Sequence, residues 1–176
     1  MNKNLILKSN FGLSLIKTAE DRKFIEQLVD LNVKAQNYGL IINESIAREI
    51  AILRGEALVE NERVEINSDA VARLTSAFLE SRYINQEDLA QTIGEIMNIF
   101  YHIKNETENL ISDDDLISEM LKVFVETCFG SLEIMQSKGL EKILRKYKFN
   151  DTAIWDDYEN KNWEDYYDTG NESWRE

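Results

Sequence analysis

Proline is absent from this chain, histidine and cysteine occur once each, and glycine is sparse. Without proline there is no polyproline linker and no proline helix break, so Gly, Asn and Ser must punctuate the elements. One cysteine, Cys128, cannot form an internal disulfide, which fits a reducing cytosol. His102 and Cys128 together fall short of a zinc site, which takes about four His or Cys ligands, or three plus a carboxylate and water. A carboxylate-bridged di-iron bundle needs two Glu-x-x-His motifs and two further Glu, and neither motif is present. There is no Gly-x-Ser-x-Gly elbow, no phosphate-loop lysine motif and no Gly-x-Gly-x-x-Gly. No apolar run approaches the roughly 20 residues that span a bilayer. The start of the chain is broken by Lys8 and Asn10, too early for a signal-peptide core. These gaps predict a cytoplasmic protein without cofactor, metal or catalytic residues.

Bases are also few: 20 Lys and Arg face 33 Asp and Glu, for a net charge of −13. Such a field repels nucleic-acid backbones and anionic membranes, so direct binding to either is disfavoured. It allows a basic protein partner, or a basic site that normally holds nucleic acid. What the chain has in quantity is apolar material, 43% of 176 residues, enough for one hydrophobic core.

The apolar residues fall at helical spacing. Residues 1–17 are ambiguous between short extended pieces and an N-terminal arm. Thr18 with Asp21 resembles a capping box, and Phe24, Leu28, Leu31, Ala35 and Tyr38 follow at 4-3-4-3 spacing up to Gly39. Asn43 caps a second stripe of Ile46, Ile50, Leu53, Ala57 and Leu58. "ENERVEI" (60–66) breaks the period and predicts a short extended link near 62–66. A third helix spans 68–81 through Val71, Leu74 and Phe78. Asn85 is the expected cap of a fourth, with Leu89, Ile93, Ile96, Phe100 and Ile103 on its seam. Ser112 caps a fifth, with Asp113, Asp114 and Asp115 where the helix dipole favours negative charge. Leu132, Met135, Ile143, Leu144 and Tyr147 mark a sixth, bent near Gly139. The class is therefore all-α, an irregular bundle of five to six helices over residues 1–149.

Charge is divided at the C-terminal end. Residues 138–148 hold Lys138, Lys142, Arg145, Lys146 and Lys148 against Glu141, a net +4. Residues 150–176 hold nine acids against Lys161 and Arg175, a net −7, more than half of the whole excess. That tail carries all three tryptophans. Trp155, Tyr158, Trp163, Tyr166, Tyr167 and Trp174 lie among acids and amides that disfavour both helix and core. The helical stripes complete a core without them, so the tail reads as a recognition segment, disordered or docked. Its nearest receptor is the basic stretch 138–148, favoured by a short tether.

Three further stretches carry a resemblance. "GLIINESIAREIAILRGEALVENERVEI", "AFLESRYINQEDLAQTIGEIMNIFYHIKNET" and "SDDDLISEMLKVFVETCFGSLE" resemble an uncharacterised Firmicutes family of small proteins, a domain of unknown function, over about residues 39–144. The most specific pieces are Arg63-Val64-Glu65, Phe100-Tyr101 with Lys104-Asn105-Glu106, and Cys128 to Leu132. The resemblance implies a small cytoplasmic protein and supplies no activity.

Within those motifs Arg54, Arg63, Glu65, Tyr101, Lys104, Asn105 and Glu106 form a candidate interaction surface, because Arg and Tyr are favoured interface anchors. The competing reading is that Arg63 and Glu65 pair internally and pin the 60–66 link to the fourth helix. Three functions stay open. The first is a non-catalytic interaction or adaptor protein whose tail clasps its own basic helix or a basic partner. The second is an inhibitor or immunity-type protein masking a basic nucleic-acid-handling surface. The third is an unrecognised enzyme. Partner identity and oligomeric state are not readable from the residues.

Overall fold

The computed structural model describes residues 19–65 and 67–148. The arm at 1–17, the Thr18 box, Ile66 and the tail with its aromatic residues lie outside the described residues, as does the Lys148 side chain. Among those described there are six helical segments and no strand. The chain is all-α.

The first segment is α1 (Ala19–Asp30) followed by the short α2 (Asn32–Gln36). Phe24, Ile25, Leu28 and Ala35 are buried. Gly39 ends the segment at φ +74°, and Leu40 N–H reaches back to Ala35 O at 3.0 Å. Only a residue without Cβ takes that conformation freely. The stripe stops one position early: Tyr38 lies past the helix end and is exposed.

α3 (Glu44–Glu60) starts at Asn43, whose side chain accepts from Ile46 N–H at 3.0 Å. Its buried face is small, with Ala47, Ala51, Gly55 and Ala57 beside Ile50. This lets α5 (Leu89–Glu106) approach closely, and these two form the most extensive helix pair. A Cβ on Gly94 of α5 would sit 2.8 Å from Leu53 Cβ, so that position has no room for a side chain. Contacts advance together along both helices, from Leu53 with Gly94 to Asn61 with Asn98 and Asn105. The pair therefore runs in one direction, with both C-termini at one end.

In the sequence between these two helices, α4 (Asp69–Phe78) buries Val71, Leu74 and Phe78. The link before it, residues 63–65, has no regular structure. α5 starts later than expected. Its N-cap is Asp88, which makes no side-chain cap, and Asn85 does not cap it. The approach is organised by tertiary bonds instead: Gln86 accepts from Ile41 N–H at 2.6 Å and donates to Ile41 O at 3.3 Å.

α6 (Asp113–Lys122) is capped by Ser112, whose hydroxyl accepts from Asp115 N–H at 3.2 Å. It runs into a π turn, Val123–Thr127, that opens the helix by one residue per turn. After α7 (Leu132–Ile134) a second π turn, Met135–Gly139, leads into α8 (Leu140–Lys148). This turn ends on Gly139, where the sequence predicts a bend. Gly139 lies against Cys128 Sγ and Val123, where an added Cβ would be 3.1 Å from each. One continuous core, from Phe24 on α1 to Ile143 on α8, joins all the segments. Among the described residues no helix is long and apolar enough to cross a membrane.

Candidate functional site

The shared C-terminal end of α3 and α5 gathers most of the charged residues singled out above. Arg63 is its hub. Its guanidinium donates to Glu65 Oε1 at 2.6 Å, to Asn105 Oδ1 at 2.7 Å and to Asn109 Oδ1 at 2.8 Å, and lies 5.9 Å from the Tyr101 ring centre. Lys104 bonds Asp113 at 2.7 Å and sits 3.6 Å from Glu65. Only 13% of the Arg63 side chain and 11% of the Lys104 side chain are exposed. Partly buried charged groups with several partners hold their geometry, unlike surface pairs. The network binds the 63–65 link to α5 and to the start of α6.

Arg54 and Tyr101 are not surface residues. Both are buried, and neither can meet a partner as part of an exposed patch. Arg54 stacks over the Phe24 ring at 5.3 Å and donates to Glu65 O at 3.3 Å, while its Nε has no hydrogen-bond partner among the described residues. Burial pushes the Tyr101 phenol up from its ordinary range, and the nearby Arg54 charge opposes that shift. The pair serves the interior. Asn105 and Glu106 remain at the surface, and Asn105 is bonded to Arg63 and to Asn61 O.

The basic stretch near the C-terminus lies on the second π turn, which holds Lys138, and on α8, which holds the others. Arg145 pairs with Glu141, Lys146 bonds Glu119 at 2.7 Å, Lys142 donates to Thr127 at 3.3 Å, and Lys138 is exposed. The hydrogen bond to Glu119 holds the Lys146 ammonium above its ordinary range. His102 is exposed and Cys128 buried, with the thiol pushed up by burial. Among the described residues no group of three or more His, Cys, Asp or Glu could hold a metal ion.

Sequence reading missed the two helix ends themselves. α3 finishes with Glu60-Asn61-Glu62-Arg63-Val64 and α5 with Glu106-Thr107-Glu108-Asn109-Leu110. The two ends match in their first three residues and in their backbone hydrogen bonds, and part at the fourth, where Asn109 is also left-handed at φ 58° and Arg63 is not. In each, the helix ends on Glu, and the next side chain (Asn61, Thr107) donates to the carbonyl four residues back, at 2.8 and 2.7 Å. In each, the second Glu is left-handed, at φ 53° and 51°. Arg63 N–H then bonds Leu58 O at 2.8 Å, and Asn109 N–H bonds Lys104 O at 2.9 Å, closing the same glycine-type helix stop. The fifth residue projects into solvent: Val64 is 92% and Leu110 84% exposed. A left-handed Glu costs about 1 kcal/mol relative to Gly. The repeat Glu-x-Glu-x-aliphatic was the available signal.

With the geometry in hand, comparison with known proteins is specific on one point. A model for a family of unknown function (DUF6323) matches residues 27–153. The chain belongs to that family. The match extends beyond the expected 39–144 at both ends, takes in both helix ends, and stops before Trp155. No curated protein and no solved structure matches the chain.

Proposed function

We propose that this family member is a non-catalytic interaction or adaptor protein. The observation that carries the reading is the exposure of Val64 and Leu110 on loops cross-tied by Arg63. The charged groups beneath them are occupied with one another, so the network's work is to hold two apolar side chains outward. Two exposed aliphatic side chains at the same end of a helix pair offer another protein an apolar contact.

The acidic aromatic tail is the second element of the proposal. Its net charge of −7 follows the basic stretch 138–148 directly. The intramolecular pairs of Arg145 and Lys146 are surface pairs, each worth under about 1 kcal/mol, so a tail can exchange for them. Tryptophan emission tests this, because every tryptophan lies in the tail. A clasp on the protein's own helix gives blue-shifted emission that moves red as salt is raised. Solvent-like emission at all salt concentrations counts against the clasp, leaving a basic partner or no role for the tail. A tail-less 1–149 chain that recovers the same partners as the full chain removes the tail from the proposal.

A net charge of −13 also favours a second reading, an inhibitor that covers a basic nucleic-acid-handling surface. Its binding weakens steeply as salt rises. An affinity unchanged between low and high salt excludes it.

A further inference from the structure

The matched helix ends name the chemistry of the partner, an inference that rests on the interaction reading above. We propose that the joined C-termini of α3 and α5 are a docking face for a basic protein segment in which cationic and aliphatic side chains alternate. Val64 and Leu110 supply two apolar anchors. The exposed carboxylates of Glu62 and Glu108 sit two residues before them, and Glu60 and Glu106 lie one turn back.

Two parallel helices also point their C-termini at this face, adding the negative ends of two dipoles. Acids at a helix C-terminus oppose the dipole, yet both helices carry Glu as their last residue and again two positions on. Six acids (Glu60, Glu62, Glu65, Glu106, Glu108 and Asp113) against Arg63 and Lys104 leave this end at a net −4, so the potential beside the exposed aliphatics is negative. Charge complementarity selects the occupant. A second copy would bring the same carboxylates against themselves, and a nucleic acid would bring phosphates. Lysine or arginine side chains neutralise the carboxylates, and their apolar neighbours cover Val64 and Leu110. Arg63 is not the receptor. Its bond to Asn109 sets the spacing of the two ends.

The test uses the full chain and a synthetic peptide of alternating lysine and leucine, followed by amide chemical shifts. The proposal expects the largest shifts in residues 60–65 and 106–111. It expects V64S/L110S to weaken binding about tenfold, the scale of losing two apolar anchors. Both side chains are solvent-exposed, so this variant should keep the parent melting temperature, which confirms that it is folded. Shifts confined to the tail, or V64S/L110S binding like the parent, overturn the docking face while leaving the tail reading intact. Absence of binding overturns it too. Sedimentation of the free protein guards the choice of occupant: a dimer abolished by V64S/L110S would make a second copy the partner and contradict the proposal.

Discussion

Arg63 and Asn109 occupy the same place in two different helix stops, and a 2.8 Å hydrogen bond joins their side chains across 46 residues of sequence. The bond makes one unit of two loops that the chain builds separately. A double-mutant cycle over R63A and N109A should return a coupling of about 0.5–1.5 kcal/mol in urea unfolding. Additive losses would mean that the ends are independent.

Arg63 alone carries more than that bond. R63A leaves Glu65 and Asn105 without their donor and should cost about 2–3 kcal/mol. R63K keeps the charge but loses the planar fork, so it should recover only part of the loss. A lysine variant as stable as the parent would show that charge, not geometry, pins the link.

Relieving the left-handed strain should stabilise the fold. E62G and E108G are each expected to gain about 0.5–1 kcal/mol, or roughly 1–4 °C in melting temperature. Both should weaken capture of the lysine–leucine peptide. A glycine variant that gains stability and binds unchanged would mean that the two Glu are not there for recognition.

Gly130 should tolerate nothing larger. It sits at φ +81°, and an added Cβ would run into the Tyr83 side chain, which is itself edge-on to Phe124. G130A combines backbone strain with overpacking and should cost at least about 2 kcal/mol. G39A, with a similar φ but open space around it, should cost only about 1 kcal/mol. Equal losses in a melting comparison would assign the whole effect to the backbone.

Alkaline pH should destabilise the protein in two steps. Burial raises the Cys128 thiol above its ordinary 9.0 and the Tyr101 phenol above its ordinary 10.0. In both, the unfolded chain loses its proton first, so the stabilising contribution is complete below the ordinary value. It is lost as pH rises towards the folded value. Unfolding free energy should decline from about pH 9 upwards. C128A should flatten the first part of that decline while lowering stability throughout, since it leaves a cavity. A C128A profile parallel to the parent from pH 8 to 10 would remove the thiol from the explanation.

The helices were legible wherever one local rule decided. Asn43 and Ser112 cap as their spacing predicts, and the α5 seam from Leu89 to Ile103 is buried. Asn85 failed because Gln86 is recruited by Ile41, a partner 45 residues away. Arg54 and Tyr101 read as surface anchors because a charged or hydroxylated residue is buried only when other groups receive it, here Phe24 and Glu65 for Arg54, and Phe100 and Arg63 for Tyr101. The helix ends were hidden for a different reason. A glycine-type stop was built on Glu62 and Glu108, against the residue preference that normally reveals it.

The central claim is that paired acidic helix ends recognise a cationic, apolar protein segment. The most direct measurement is the affinity of the lysine–leucine peptide for the full chain across a salt series, by calorimetry, for the parent and for E62Q/E108Q. The account predicts a steep loss of affinity with salt for the parent, and a weaker, flatter dependence for the variant. Superimposable salt curves would contradict it.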